Sequence, residues 1–116
     1  MNKIEAIIRP ERVEAVKEAL VKVGINGLNV VNVTGRGVQR GIVHEGRGGI
    51  SHTIDMLPKV KVEVVVKDAD TTKVIDAIMA AARTGATGVI GDGKIFVSPV
   101  AQVIRVRTGE RGDAAL

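Results

Sequence analysis

The stretch Leu57-Pro58-Lys59-Val60-Lys61-Val62-Glu63-Val64-Val65-Val66 decides the fold. Val60, Val62, Val64 and Val66 take every second position, and Lys59, Lys61, Glu63 and Val65 fill the positions between. Successive side chains of a strand point to opposite faces, so this run predicts a strand buried on one face and open on the other. Its apolar side needs a covering layer, and the next segment supplies one. Val74, Ile75, Ile78, Met79 and Ala82 recur at helical spacing. Asp68 or Asp70 suits that helix's N-cap, Arg83 its negative end and Gly85 its stop.

The same reading extends outward in both directions. Towards the N-terminus, residues 3–9 alternate, with Ile4, Ala6 and Ile8 on one side, which predicts a strand. Pro10 fits a first helical position and Glu11 its positive end. Val13, Val16, Leu20 and Val23 follow at helical spacing until Gly24. Leu28 to Val33 is β-branched and apolar on both sides, which predicts a buried strand. Towards the C-terminus, a glycine-rich stretch runs from Gly85 to Gly93. Ile95 to Val97 and Val103 to Val106 then predict short strands, and Thr108 to Leu116 reads as a polar tail.

The order is strand, helix, strand, strand, helix, strand. This is the α+β, ferredoxin-like βαββαβ arrangement, with both helices on one face of an antiparallel sheet and one domain over residues 1–116. Ile7, Val31 and Val33 fall on the open face, which predicts an apolar surface that a partner subunit covers.

Between the second and third strands the character changes. Six of the fifteen residues from Gly35 to Gly49 are glycine, interspersed with Arg36, Arg40 and Arg47. No apolar period survives, and a long loop (about 37–55) inside a compact domain carries function or lacks order. The alternative is a solvated hairpin tip.

Composition narrows the functional classes. The 116 residues are 45% hydrophobic and 26% charged, which excludes a disordered chain. No run reaches the ~18 apolar residues of a membrane span. The start, with Lys3 and Glu5 inside its apolar stretch, does not read as a signal peptide. There is no cysteine, so disulfides, thiol nucleophiles and thiolate metal sites are excluded, and a cytoplasmic setting fits. Phe96 is the single aromatic, which leaves no pair of platforms for stacking nucleic-acid bases. The formal charge of +4 favours anionic partners, nucleotides and carboxylates included.

Gly88-Val89-Ile90-Gly91-Asp92-Gly93-Lys94 has the GxxxxGK spacing of a phosphate loop. Ile95 stands where the magnesium-binding Ser or Thr would be, and a strand follows instead of a helix, so it is not a Walker A loop. Glycines still allow consecutive amides to converge on an anion beside the Lys94 charge. A plain turn with a surface lysine is the other reading. Arg105 and Arg107, alternating on the expected last strand, form either a fork for phosphate oxygens or a solvated face. His44 and His52 have no orienting partner in sequence, and Asp55 and Asp92 are single carboxylates. No paired acid–base site, hydrolase triad or metal cluster emerges.

Ile90-Gly91-Asp92-Gly93-Lys94-Ile95-Phe96-Val97, followed by Val103-Ile104-Arg105-Val106-Arg107-Thr108-Gly109-Glu110, closely resembles the C-terminal signature of the PII signal-transduction proteins. Ile7-Ile8-Arg9-Pro10, Gly24-Ile25, Gly35-Arg36-Gly37, Gln39-Arg40-Gly41 and Leu57-Pro58-Lys59-Val60 also match. So does the ending Asp113-Ala114-Ala115-Leu116, and the resemblance covers essentially the whole chain.

The resemblance implies a cytoplasmic homotrimer of ferredoxin-like subunits. It implies a non-enzymatic sensor of adenine nucleotides (ATP or ADP, with AMP a further candidate) and 2-oxoglutarate. Such a sensor acts through its long loop on a target, such as an ammonium transporter or an enzyme of nitrogen or carbon metabolism, and not on nucleic acid. By resemblance, the nucleotide lies between subunits, its phosphates on Gly91, Asp92, Gly93 and Lys94 of the 85–94 loop. Arg105 and Arg107 would reach in from the neighbour, and Ile7, Asn29, Gly35, Gly37 and Val38 would complete the nucleotide site. Gln39, with Arg40 and Gly41, would hold 2-oxoglutarate through a shared Mg2+, and Lys59 would pair its distal carboxylate. Arg47 stands where members that block ammonium transporters insert an arginine into the pore.

The chain departs from the family pattern at four places. The modified loop tyrosine is missing, and Ser51 is its nearest counterpart. Asn29 replaces a threonine that contacts adenine, and Val38 replaces an arginine near the terminal phosphate. The link from Thr84 to Val89 is longer than usual. Two other classes compete: a nucleotide-metabolising enzyme using the same cleft, and an RNA-binding module of the same element order. The first lacks a placed base or nucleophile, and the second lacks the aromatic pairs. A PII-like regulator with a divergent effector such as bicarbonate is a further alternative.

Overall fold

A computed structural model describes residues 1–36 and 56–116, together with the backbone of 43–45 and 51–53. Its strands are β1 (Asn2–Ile8), β2 (Asn29–Gly35), β3 (Val43–Glu45), β4 (Ser51–Thr53), β5 (Leu57–Val66) and β6 (Gly93–Pro99). Its helices are α1 (Val13–Lys22) and α2 (Thr71–Ala82). The main sheet is antiparallel in the order β2-β5-β1-β6, with both helices over one face, which is the ferredoxin-like arrangement. No helix among the described residues is long and apolar enough to cross a membrane.

The alternation in β5 governs the packing. Val60, Val62, Val64 and Val66 are buried, and opposite them on β1 lie Ile8, Ala6, Ile4 and Asn2 in register. Val16 and Leu20 of α1 and Val74, Ile78 and Ala82 of α2 close this core from the helix side. Met79, which shares the expected apolar face of α2, is 42% exposed at its edge. Gly24 follows the Val23 C-cap of α1 as its position suggests, whereas α2 already ends through an extended Arg83, two residues before Gly85. Gly24 has φ +86°, and the chain folds back through Ile25 N–H donating to the Leu20 carbonyl at 2.9 Å. Arg12 donates through Nε (2.9 Å) and Nη2 (2.5 Å) to the Ala81 carbonyl, satisfying an otherwise orphaned group at the end of α2.

Five sequence expectations need correction. The segment 103–106 is not a strand. Gly109, at φ +72°, turns the chain back, so Arg105 N–H donates to Glu110 and Gly112 N–H to Val103, and Ile104 bridges Arg111 alone. Arg105 and Arg107 therefore sit at a tight turn and not along a strand face. β2 is an edge strand, paired among the described residues with β5 alone, so Val30, beside Val62 on the helix side, stays 45% exposed instead of buried, while Val31, 43% exposed beside Lys61, lies on the open face. Neither Asp68 nor Asp70 caps α2 through its side chain. Asp68 instead accepts from the Met1 amino group at 2.8 Å and from Asn2 at 3.1 Å.

The stretch read as patternless between β2 and β5 contains a paired hairpin, with His44 opposite His52. The open sheet face is not uniformly apolar either. Lys3 lies 3.3 Å from Glu5 and 3.8 Å from Glu63, and Lys61 lies 3.8 Å from Glu5 and 2.8 Å from Glu63. The hydrogen bond between Lys61 and Glu63 raises the pKa of the lysine and lowers that of the glutamate.

β6 begins where Gly93, at φ +118°, crosses the Ile7 peptide. A Cβ on Gly93 would fall 1.7 Å from the Ile7 carbonyl oxygen, whereas one on Gly27 would meet nothing within 4 Å. Gly93→Ala is expected to cost at least ~2 kcal/mol, from backbone strain and overlap together. Gly27→Ala is expected to stay within about 1 kcal/mol of wild type. Urea unfolding checks this, and equal midpoints for the two variants would contradict the close approach.

Candidate functional site

A cleft of about 510 Å³ opens where the end of β2, the start of β5 and the loop before β6 meet. It brings together Ile7, Gly35, Lys59 and the run from Gly91 to Lys94, all named from the sequence as ligand residues. Arg36, Leu57, Val89, Ile90 and Phe96 line it as well. The floor is thus apolar, and Arg36, Lys59 and Lys94 add positive charge to the walls. A second, apolar cleft of about 470 Å³ lies between α2 and β6 and shares Asp92, Gly93 and Lys94 with the first.

The loop is built around one carboxylate. Asp92 Oδ2 accepts from the backbone amides of Thr84 and Val89, each at 2.9 Å. Asp92 Oδ1 accepts from the Thr84 hydroxyl at 2.5 Å and from Arg9 Nε at 3.0 Å. Arg9 Nη2 continues to the Ile90 carbonyl at 2.9 Å, and Lys59 Nζ donates to the Gly91 carbonyl at 2.7 Å. Gly91 adopts φ +99°, which lets the chain reverse tightly enough for these contacts to converge. Burial alone would push the Asp92 carboxyl up. The bonds from Thr84, Val89 and Arg9 outweigh it and hold the group well below the usual carboxylate range. Burial, followed by the neighbouring Arg9 charge, lowers Lys59, against the opposing pull of Glu11 and Asp92.

Other residues named from the sequence lie elsewhere. Asn29 stands at the opposite end of β2 from Gly35, in register with Glu63. Arg105 turns onto its own tail, with Nη1 3.0 Å from Glu110 Oε1 and Nη2 3.3 Å from the Leu116 carbonyl. Arg107 is exposed on the adjoining turn and, like Arg105, does not line the cleft of its own chain. Gly37, Val38, Gln39, Arg40, Gly41 and Arg47 lie outside the described residues, and Ser51 is described only through the backbone of β4. The sequence reading gave no role to Arg9, Thr84, Leu57, Val89 or Ile90. Arg9 stood within a quoted motif, but nothing local ties it to Asp92.

A ferredoxin-like domain with a glycine-built cleft lined by Arg36, Lys59 and Lys94 has the chemistry to receive a small anion. The family model described as Nitrogen regulatory protein P-II matches residues 1–110. A P-II protein of Nostoc punctiforme is 53% identical over 116 residues and covered in full, as is this chain. P-II 1 of Escherichia coli K12 is 51% identical, again with full coverage of both chains. The crystal structure of Arabidopsis thaliana PII bound to citrate superposes with a TM-score of 0.77 at 46% identity, covering 98% of this chain and 87% of that one. The chain belongs to the P-II family of nitrogen regulatory proteins. It is therefore a signal-transduction regulator and not an enzyme, of a family that binds small effectors and controls target proteins.

The depressed Asp92 pKa has a definite sign. A carboxylate held below its unfolded value contributes stability that is complete above the unfolded pKa and disappears as pH falls through the folded one. The stability difference between wild type and Asp92→Asn is expected to be ~1.5–3 kcal/mol, the worth of hydrogen bonds to a charged group. It should be flat from about pH 8 to 5 and shrink below about pH 4. Urea titrations across that range check it, and a difference that already declines between pH 7 and 5 would contradict the clasp.

Proposed function

We propose that this protein is a sensor of adenine nucleotides and 2-oxoglutarate that works as a cytoplasmic homotrimer, with its ligand clefts between subunits. The observation that carries this reading is the meeting of the Gly91–Lys94 loop with Arg36 and Lys59 over an apolar floor. A cleft with cations on its walls and Ile7, Leu57 and Phe96 beneath suits a polyphosphate joined to a flat apolar base. The half-open edge strand β2, with Val30 and Val31 exposed, supports burial against another subunit. Such a neighbour would deliver Arg105 and Arg107 to the phosphates, which a single chain does not.

The carboxylate half of the reading rests on Lys59 with Gln39, Arg40 and Gly41. That an Arabidopsis PII was crystallised with citrate supports uptake of a small polycarboxylate by this architecture. In this reading Mg2+ is held mainly by nucleotide phosphates and 2-oxoglutarate, with Gln39 as the protein's contribution. The metal would supply charge that joins the two anions. Arg47 in the long loop would then meet the target, an ammonium transporter or a nitrogen- or carbon-metabolism enzyme.

Lys94→Ala and Arg105→Ala are each expected to weaken ATP binding by ~1.5–3 kcal/mol while light scattering still reports a trimer. Unchanged calorimetric affinity in both variants, or a monomeric wild type at micromolar concentration, would overturn the inter-subunit site. Val38 offers no donor to a third phosphate. Without 2-oxoglutarate the preference for ATP over ADP is therefore expected to stay under about tenfold, ~1.4 kcal/mol. Paired titrations with and without 2-oxoglutarate check this, and a hundredfold preference in its absence would assign the missing arginine's role to another side chain.

A further inference from the structure

We propose that Asp92 is a positioning residue: it binds no ligand itself, but holds the phosphate loop in the shape that receives one. The inference rests on the nucleotide reading above and deepens it. A carboxylate offers about four acceptor sites. All four of Asp92's are taken from within the chain, by the Thr84 amide, the Thr84 hydroxyl, the Val89 amide and Arg9 Nε. Its own amide donates to the Val89 carbonyl at 3.1 Å. Nothing on Asp92 is left for a phosphate, and a bare carboxylate would repel one.

The clasp does two things for an anion. It places Arg9 against the Asp92 charge, so that the carboxylate acts on the cleft as half of an ion pair and not as a lone negative group. It also brings Arg9 to the Ile90 carbonyl. The carbonyl and N–H of one trans peptide point in opposite directions. With the Ile90 oxygen held on Arg9, the Gly91 N–H is turned away from Arg9 as a fixed donor. Thr84 and Val89, at the two ends of the 84–89 link, are held to the same carboxylate, so the link is closed into a loop that returns to Lys94 in register.

The sign of one substitution separates positioning from a field effect. If Asp92 acted on a bound polyphosphate only through its charge, Asp92→Asn would strengthen ATP binding. If it positions the loop, Asp92→Asn is expected to weaken ATP binding about tenfold or more, because the fixed donors are lost. The Val89 amide should exchange faster with solvent in the ligand-free variant, since its acceptor is weakened. Thr84→Val, which removes only the hydroxyl, keeps the test open should Asp92→Asn fail to fold, with an expected loss of about threefold or more. Calorimetry with MgATP, and hydrogen exchange without it, on the full chain read both effects. Unchanged or tighter ATP binding in both variants overturns the positioning role. Wild-type protein that takes up no ATP overturns the nucleotide reading and this role together, so the two failures are distinct.

Discussion

The passage of Gly93 over the Ile7 peptide is the constraint on which the rest of the structure depends. It sets the first rung of β6 against Ile8, and from that rung Ile95 meets Ala6 and Val97 meets Ile4 on the helix side of the sheet. The same rung fixes where the preceding loop must end. Asp92 is then one residue from the sheet, within reach of Arg9 at the end of β1. A side chain at position 93 would push the edge strand off β1 and move the loop with it. Sheet register and the shape of the loop before β6 are thus one structural decision.

The sheet explains why the cleft is stiff at its base. Ile7 and Lys59 come from central strands locked by the valine ladder of β5, while Gly91 to Lys94 come from the edge. Groups on different strands keep their separation because every strand between them is paired. Lys59 adds a bond across this gap, from the start of β5 to the Gly91 carbonyl. The loop is therefore held from β1 by Arg9 and from β5 by Lys59, two cations on two consecutive carbonyls.

Much of this was legible in the chain. The valines of β5 have period two, and only a half-buried strand satisfies it. The glycines from Gly88 to Gly93 marked a tight turn before a strand, and Gly88, Gly91 and Gly93 make it at positive φ. The same rules failed at Val103 to Val106, which is as β-branched as a strand, because the Thr108-Gly109 turn gives the Arg105 amide a near acceptor in the Glu110 carbonyl and the Val103 carbonyl a near donor in the Gly112 amide. They also failed at β2, where composition reports apolar character but not whether a strand is central or at an edge. Asp92's role was hidden for a different reason. Thr84 is eight residues away and Arg9 is 83, so the carboxylate's partners are brought together by the fold and not by any local pattern.

Charge is divided between the two surfaces by the same logic. On the open sheet face, Lys3, Glu5, Lys61 and Glu63 form a ring of alternating sign that sums to zero. A balanced face whose ions already pair with one another loses less on being covered than a face of single sign, because each charge keeps its partner when water leaves. The cleft between β2, β5 and β6 is lined differently. Among its lining residues the one carboxylate, Asp92, is paired with Arg9, and three cations, Arg36, Lys59 and Lys94, stand beside it. The open sheet face is thus balanced in charge, whereas the cleft lining carries more cations than carboxylates. The net +4 of the chain tells nothing of this division; it comes from strand register, which sets Glu5 opposite Glu63 on one face and brings Lys94 opposite Ile7 at the rim of the cleft.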